Sequence, residues 1–140
     1  KVPSKFEFLT LFYSLGAEKP KFENSDLYQK VGLKMKSNYG WDDYSIKNDE
    51  TGEMDKYGNG TNESKLNALP SGIYFTDAEF DGGKNWHFHG MGFLSCWWSL
   101  TEDEEFKNDA VQCILRQLGN YVTLTREEKA SGASLRLLKL

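Results

Sequence analysis

Two histidines separated by one residue, His87 and His89, have the spacing of metal ligands. In an extended segment, residues i and i+2 point to the same side, so both imidazoles could reach one ion. Two ligands do not complete a site, and the nearest acids, Glu79 and Asp81, come from the same predicted loop without a fixed geometry. We therefore predict no metal site, and the simpler interpretation is an exposed loop with one anchoring aromatic residue.

The adjacent tryptophans Trp97 and Trp98 offer a different chemistry, which is stacking against a sugar ring. Neighbouring residues of a strand face opposite sides of the sheet, so one indole should fill the core while the other faces the loops. We predict that Trp98 is the core residue, on the same side as Cys96. Trp97 is then the exposed platform for the C–H face of a pyranose.

Several acidic stretches contain oxygen ligands of the kind that calcium prefers. The longest is Glu102, Asp103, Glu104 and Glu105, with Asp109 beyond it. None of these stretches has the glycine pattern of an EF-hand loop, so a solvated acidic turn is the simpler interpretation. The acids of the long loop, Asp42, Asp43, Asp49 and Glu50, are interpreted in the same way. We predict no cofactor, with calcium as the alternative.

Catalysis finds little support in the sequence. No Ser-His-Asp set, Walker loop or HExxH motif is present, and nothing fixes two carboxylates across a cleft. Cys96 and Cys113 lie on strands predicted to be neighbours, which suits one disulfide or two buried thiols better than a reactive pair. No CxxC motif is present, so a structural zinc site is not expected. We predict a protein that is not an enzyme.

The bulk composition fits one domain of ordinary globular type. The chain has 140 residues, of which 39% are hydrophobic and 27% are charged. A net charge of -4 argues against nucleic acid, because phosphate binding needs a basic face. No apolar run reaches the roughly 18 residues of a membrane span, and no signal peptide is present. Because the chain begins at Lys1, close to a predicted helix start, we expect a processed piece of a longer protein.

Two helices are predicted in the N-terminal part. Ser4 and Glu7 have the spacing of a capping box, and Gly16 ends the apolar periodicity that follows at Phe8, Leu9, Phe12 and Leu15. A second, shorter helix is predicted to start at Asn24 or Ser25, to bury Leu27, Tyr28 and Val31, and to stop at Gly32. A short strand over residues 33–36 follows.

The rest of the chain is predicted to be a long loop followed by a sheet. Residues 38–65 are polar and rich in Gly, Asn and Asp, which is typical of a functional or disordered loop. Strands are predicted over residues 72–76, 91–99, 110–118, 121–126 and 133–140, with turns at Gly119-Asn120 and Ser131-Gly132. Helices followed by antiparallel strands indicate an α+β fold rather than alternating βαβ units.

Six motifs in order along the chain carry a resemblance to a known family. They are Val2-Pro3-Ser4, Lys34-Met35-Lys36-Ser37, Gly40-Trp41, Ala68-Leu69-Pro70-Ser71-Gly72, Trp97-Trp98-Ser99-Leu100-Thr101-Glu102 and Ser134-Leu135-Arg136-Leu137-Leu138. Together they resemble the Fibrobacter succinogenes major paralogous domain. The chain departs from the family pattern at Leu100, where members have a second Ser, and at Leu135-Arg136-Leu137, where a family cysteine is missing. The resemblance implies that the family's N-terminal strands lie outside this sequence.

The resemblance implies a C-type lectin-like architecture, in which two N-terminal helices pack on a mainly antiparallel sheet and a long loop region carries the binding surface. It also implies an exported bacterial domain, often part of a surface lipoprotein. We therefore expect a non-enzymatic surface domain that binds a glycan or a protein, with no nucleic-acid partner and no membrane span. The alternatives are a structural or assembly module and, third, an enzyme on a scaffold like that of the formylglycine-generating enzyme. The candidate ligand-binding residues are Trp41, Asp42, Asp43, Tyr74, Trp86, His87, His89 and Trp97.

Overall fold

The computed structural model describes residues 1–18, 26–76 and 86–139. The elements are, in chain order, α1 (Lys5–Ser14), β1 (Leu27–Gln29), α2 (Gly32–Met35), β2 (Tyr44–Lys47), β3 (Met54–Tyr57), β4 (Ser71–Thr76), β5 (Trp86–Met91), β6 (Leu94–Glu102), β7 (Asp109–Arg116) and β8 (Tyr121–Glu128). In this part of the chain, six strands form one sheet in the order β1-β8-β7-β6-β4-β5, and β2 pairs with β3 as a separate hairpin. Paired strands are antiparallel except β4 and β6, which are parallel.

The predicted fold class, an α+β domain of C-type lectin-like architecture with two N-terminal helices packed on a sheet, is wrong. The fold is rich in sheet, and α1 has 10 residues while α2 has 4. The start of the predicted second helix lies outside the described residues, and its described part, Leu27–Gln29, is the strand β1. Long-range pairing decides this outcome, because Tyr28 lies opposite Val122 of β8 and both side chains are buried there.

Gly32 begins α2 instead of ending a helix, so the strand predicted over residues 33–36 is also wrong. A Cβ built on Gly32 would lie 2.6 Å from the backbone nitrogen and oxygen of Tyr121. Only glycine therefore lets the start of α2 pack directly against the start of β8. After α2 the chain turns at Lys36, which forms a parallel bridge with Ala68.

Helix α1 is confirmed as predicted, together with its capping box. The Glu7 amide donates to Ser4 Oγ at 3.3 Å, and the Ser4 amide donates to Glu7 Oε2 at 2.8 Å. The carboxylate also pairs with Lys1 Nζ at 2.8 Å. The hydrogen bond from Lys1, followed by those from Ser4, lowers the pKa of Glu7 from 4.5 to about 2. Local sequence thus fixes the start of this helix.

One face of the main sheet forms the core. Register places Trp97 opposite Cys113 and Cys113 opposite Leu124, so these three side chains share that face. Phe8 and Phe12 of α1 pack onto it, together with residues that follow β1 and surround α2. The core cluster also contains Tyr28, Val31, Met35, Trp41, Ala68, Val111, Leu115 and Val122.

The predicted long loop contains a hairpin. Strands β2 and β3 pair from Tyr44 opposite Tyr57 to Lys47 opposite Met54. Asn48 organises the turn, since its Oδ1 accepts from the amides of Glu50 and Thr51. Exposed side chains dominate both strands, so the hairpin adds surface and little core.

The predicted C-terminal strands are confirmed in outline, with shifted ends. The hairpin of β7 and β8 turns through residues 117–120, where Gly119 has φ +82°. Residues 86–90, predicted as loop, belong with Met91 to β5, which pairs with β4. The predicted closing strand is wrong in its described part, where Gly132 and Ser134 form isolated bridges to Tyr74 and Trp97. Neither helix of the described residues has the length and hydrophobicity needed to cross a membrane.

Candidate functional site

The two tryptophans of the 97–98 pair take the opposite roles to those predicted. Trp97 is the core residue, with 6% of its surface exposed, and it shares the core face with Cys113. Trp98 lies opposite Gln112 on the other face and is half-buried. The alternation was predicted correctly, but the face was not. Trp97 is therefore not available as a sugar platform.

Trp41 is also buried, with 3% of its surface exposed. Its indole Nε1 donates to the Ala68 carbonyl at 2.8 Å, and its backbone amide donates to Asn59 Oδ1 at 3.0 Å. The Nζ atom of Lys36 lies 5.0 Å from the centre of the ring, a cation–π distance. Trp41 therefore joins three segments of the chain, at Lys36, Asn59 and Ala68, and stabilises the fold instead of lying at the surface.

Asp42 and Asp43 are exposed, and the backbone of Asp42 ties together two turns of the sheet. The Asp42 amide donates to the Gly92 carbonyl at 2.8 Å, and its carbonyl accepts from the side-chain amide of Gln117. The Asp42 carboxylate also fills the place where a side chain on Gly92 would lie. Asp43 packs near Gly58, the residue that follows β3. Asp42 therefore positions residues 92 and 117 relative to each other.

The ribbon of β4 and β5 holds the other predicted residues on two different faces. His87 lies opposite Phe75 and His89 opposite Ile73, so the two imidazoles share a face, as their spacing predicted. Tyr74 lies opposite Phe88 on the reverse face, with 46% and 53% of their surfaces exposed. The backbone of Trp86 pairs with Thr76, and its side chain lies outside the described part of the structure. The eight predicted residues thus do not form one site.

His89 faces a cavity. Its ring makes edge-on contacts with Phe75, at 6.2 Å between centroids, and with Phe93, at 5.3 Å. Beyond these rings lies an open groove of about 330 Å³ between the β5–β6 turn and the β7–β8 turn. We call this cavity the His89 groove, and its lining is His89, Phe93, Leu94, Arg116, Gln117, Leu118 and Tyr121.

Main-chain bonds hold the two turns that wall the His89 groove. The Gln117 amide donates to the Phe93 carbonyl at 2.7 Å, which fixes one turn against the other. The ring of Tyr121 lies over Gly119, where a Cβ would collide with it. The aromatic lining therefore rests on a defined backbone, which a preorganised binding surface requires.

The buried ammonium of Lys36 holds the β7–β8 turn, which forms one wall of the groove. Lys36 is fully buried, and its Nζ donates to the carbonyls of Gln117, at 2.7 Å, and Gly119, at 3.3 Å. Burial lowers the pKa of this ammonium to about 8. The charge satisfies two carbonyl oxygens of the β7–β8 turn, so Lys36 acts on the groove by holding its wall.

A family model described as the Fibrobacter succinogenes major domain matches residues 1–139. The chain belongs to this family. The match confirms the resemblance carried by the six sequence motifs. Comparison with curated proteins finds no match, and comparison with solved structures, C-type lectins included, finds none either.

In this Fibrobacter succinogenes major domain, the two cysteines are separate buried thiols. Cys96 lies opposite Ile114 and Cys113 opposite Trp97, so the two side chains point to opposite faces of the sheet. Both are free, and that arrangement excludes the disulfide that the sequence left open. Burial raises the pKa of Cys96 to about 12 and raises that of Cys113 as well, which disfavours the reactive thiolate.

Two acids of the acidic stretch at residues 102–109, Asp103 and Asp109, make local contacts with neighbouring residues. Asp103 Oδ1 accepts from the amides of Glu105, at 3.0 Å, and Phe106, at 2.8 Å, and these bonds lower its pKa. Asp109 pairs with Arg126 at 3.3 Å. Within residues 1–18, 26–76 and 86–139, no three His, Cys, Asp or Glu side chains are grouped so that they could hold a metal ion.

Sequence reasoning missed most of the groove lining, namely Phe93, Leu94, Arg116, Gln117, Leu118 and Tyr121. A signal was present in Leu118 and Tyr121, the large apolar residues that flank the Gly119-Asn120 turn. The alternation of core-facing residues along the two strands does not account for both of them. Phe93 has a similar position, one residue after Gly92 in the β5–β6 turn. Large apolar side chains at two turns become a site only when pairing brings the turns together.

Proposed function

We propose that this domain is a non-enzymatic binding module, that its binding site is the His89 groove, and that its ligand is a carbohydrate. The observation that carries the proposal is a groove of about 330 Å³ lined by three flat rings, those of His89, Phe93 and Tyr121. At roughly 30 Å³ for each group the size of a water molecule, this space is close to that of one hexose ring. A small cavity with aromatic walls and a few polar groups is the usual form of a ligand site.

The polar residues of the groove complement the hydroxyl groups of a sugar. Arg116 is exposed at the rim, and its Nη1 donates to Thr123 Oγ1 at 3.3 Å. Among the described residues, no carboxylate lies within ion-pair distance of its guanidinium. The guanidinium presents several donors in a fixed plane, which suits neighbouring hydroxyl oxygens. Aromatic faces would then contact the C–H face of the pyranose, while Arg116 sets its orientation.

Absence of catalysis is part of the same proposal. The two thiols are buried on opposite faces, which supports a structural role and opposes a reactive cysteine pair. We further propose that the domain is exported and acts at the cell surface. Fractionation of the producing cells, with detection of the domain by antibody, tests this location, and recovery in the cytoplasm alone would refute it.

A glycan-array screen of the folded domain tests the function, run once with calcium and once with chelator. We expect saturable binding to a related set of sugars, with the same result in both buffers. Tyr121→Ala should weaken that binding about tenfold or more, because a central aromatic contact is lost. Phe106→Ala is the matched control, since Phe106 is 44% exposed and lies outside the groove. No binding by a folded sample would refute the carbohydrate proposal.

An assembly module is the second candidate, and the edge of the sheet favours it. In the described residues β5 is the last strand of the six-stranded sheet, and it carries Phe88 and Met91, which are 53% and 69% exposed. An edge strand with apolar side chains can pair with another chain. Sedimentation at increasing concentration distinguishes the candidates. A dimer that Met91→Lys dissociates would support assembly, while a monomer at every concentration would contradict it.

A further inference from the structure

A second cavity lies on the far side of α1 and takes no part in the His89 groove. It is an open cleft of about 290 Å³ between α1, the turn at residues 64–66 and the segment at residues 136–139. We call it the α1 cleft. Its floor and walls are largely apolar, formed by Pro3, Phe8, Leu11, Leu66, Leu137 and Leu138.

Hydrogen bonds hold two sides of the α1 cleft in place, the segment at residues 136–139 and the turn at residues 64–66. The N-terminal amine of Lys1 donates to the Leu138 carbonyl at 2.9 Å, and the Leu138 amide donates back to the Lys1 carbonyl at 2.7 Å. On the opposite side, the Lys65 amide donates to the Asn62 carbonyl at 2.9 Å, and the Leu66 amide donates to Ser64 Oγ at 3.1 Å. The cleft is therefore bounded by hydrogen-bonded backbone on both sides.

Three cations face this apolar space. They are Lys65, Arg136 and Lys139, and each is exposed. Among the described residues none of them belongs to an ion pair, whereas the one acid of the cleft, Glu7, is already paired with Lys1 at 2.8 Å. The cleft thus concentrates uncompensated positive charge in a protein of net charge -4. Apolar walls beside like charges strengthen their attraction for an anion.

We propose that the α1 cleft binds a small amphipathic carboxylate, whose aliphatic chain lies along the leucines and whose carboxylate contacts Arg136, Lys139 and Lys65. Charge complementarity selects an anion, and the apolar lining selects a hydrocarbon chain. The volume limits the chain, because at roughly 30 Å³ for each group the cleft holds about ten non-hydrogen groups. A free carboxylate with about eight carbons therefore fills the cleft.

Calorimetric titration with octanoate tests the proposal, with acetate and octan-1-ol as companion ligands. We expect saturable octanoate binding, and we expect each companion to bind about tenfold more weakly, since acetate lacks the chain and octanol lacks the charge. The double variant Arg136→Gln with Lys139→Gln should weaken octanoate binding about tenfold or more. The matched control is Lys47→Gln with Lys56→Gln on the β2–β3 hairpin, which removes the same charge from a remote surface and should leave binding unchanged.

A variant of the apolar wall tests the chain separately. Leu137 is 69% exposed, so Leu137→Ser should leave the melting temperature unchanged while weakening octanoate several-fold. Equal binding of acetate and octanoate would overturn the proposal, as would equal binding by the double variant and its control. Binding to phosphatidylcholine vesicles that contain oleate, without binding of free octanoate, would overturn it in favour of a membrane contact.

Discussion

The Trp41 region, which consists of Trp41 and its contacts with Lys36, Asn59 and Ala68, and the His89 groove both contain aromatic rings, but these rings differ in solvent exposure. Trp41 is 3% exposed and uses both of its nitrogens in hydrogen bonds to the protein. Phe93 is 38% exposed, and its ring meets His89 at the edge of an open cavity. Aromatic residues thus hold the fold in one region and remain available to a ligand in the other. Burial, and not residue type, separates the two roles.

Lys36 connects the two regions physically. Its Nζ lies 5.0 Å from the centre of the Trp41 ring and donates to the carbonyls of Gln117 and Gly119 in the groove wall. Lys36 is therefore a single side chain that contacts both regions. Variants in each region separate the fold-holding role from the binding role.

The largest effect is expected for Trp41→Ala. Truncating a fully packed aromatic side chain costs about 3–5 kcal/mol of unfolding free energy, and here the indole hydrogen bond to the Ala68 carbonyl is lost as well. Urea unfolding followed by circular dichroism measures the loss. A loss below about 1 kcal/mol would place Trp41 with the groove residues and remove the contrast between the regions.

For Phe93→Ala we expect a small loss of unfolding free energy and a large loss of sugar affinity. The side chain is partly exposed, so the unfolding free energy should fall by about 1 kcal/mol, well below the loss for Trp41→Ala. Binding to any sugar identified on the array should fall about tenfold or more. The same urea titration and a binding isotherm measure the two effects on one sample. A large stability loss with unchanged affinity would assign Phe93 to the core.

A pH effect is expected from Lys36, the link between the regions. The folded pKa of about 8 lies below the ordinary 10.5, so between these values the unfolded chain binds more protons than the folded one. The contribution of Lys36 to stability therefore rises as pH increases from about 8 to 10.5. The difference in unfolding free energy between the wild type and Lys36→Met, measured across this range, should show the rise. A flat difference would mean that the folded pKa is not lowered.

The smallest effect is expected at Glu7, in the first turn of α1. The pKa of Glu7 is lowered to about 2 in the folded state, so its contribution to stability is present above pH 4.5 and is lost as pH falls towards 2. Glu7→Gln should therefore be less stable than the wild type at neutral pH, and the gap should close in acid. Acid titration of both proteins in a fixed urea concentration measures it. A gap that stays constant with pH would argue against an ionised capping carboxylate.

Local features of the fold could be predicted from the sequence, and features set by pairing could not. The capping box of Ser4 and Glu7 needs only residues three apart, and it was predicted correctly. The β7–β8 hairpin depends on one tight turn and was also predicted. The second helix failed because Leu27 and Tyr28 have an apolar pattern that suits helix and strand alike, and the partner strand β8 lies far along the chain.

The candidate site could be predicted only in part, for the same reason. The shared face of His87 and His89 follows from strand alternation alone. Alternation could not decide whether Trp97 or Trp98 faces the core, because that choice depends on which side α1 covers. The groove combines residues 89–94 with residues 116–121, and only the register of β6 against β7, which sets Leu94 opposite Arg116, brings them together.

Nuclear magnetic resonance titration of the labelled domain, with the sugar that binds best on the array, tests directly whether the His89 groove is the binding site. We expect the amide signals of residues 89–94 and 116–121 to shift together and saturate, while the Trp41 amide and indole signals stay in place. Saturable shifts at another surface, or shifts led by the Trp41 signals, would contradict the assignment of binding to the His89 groove.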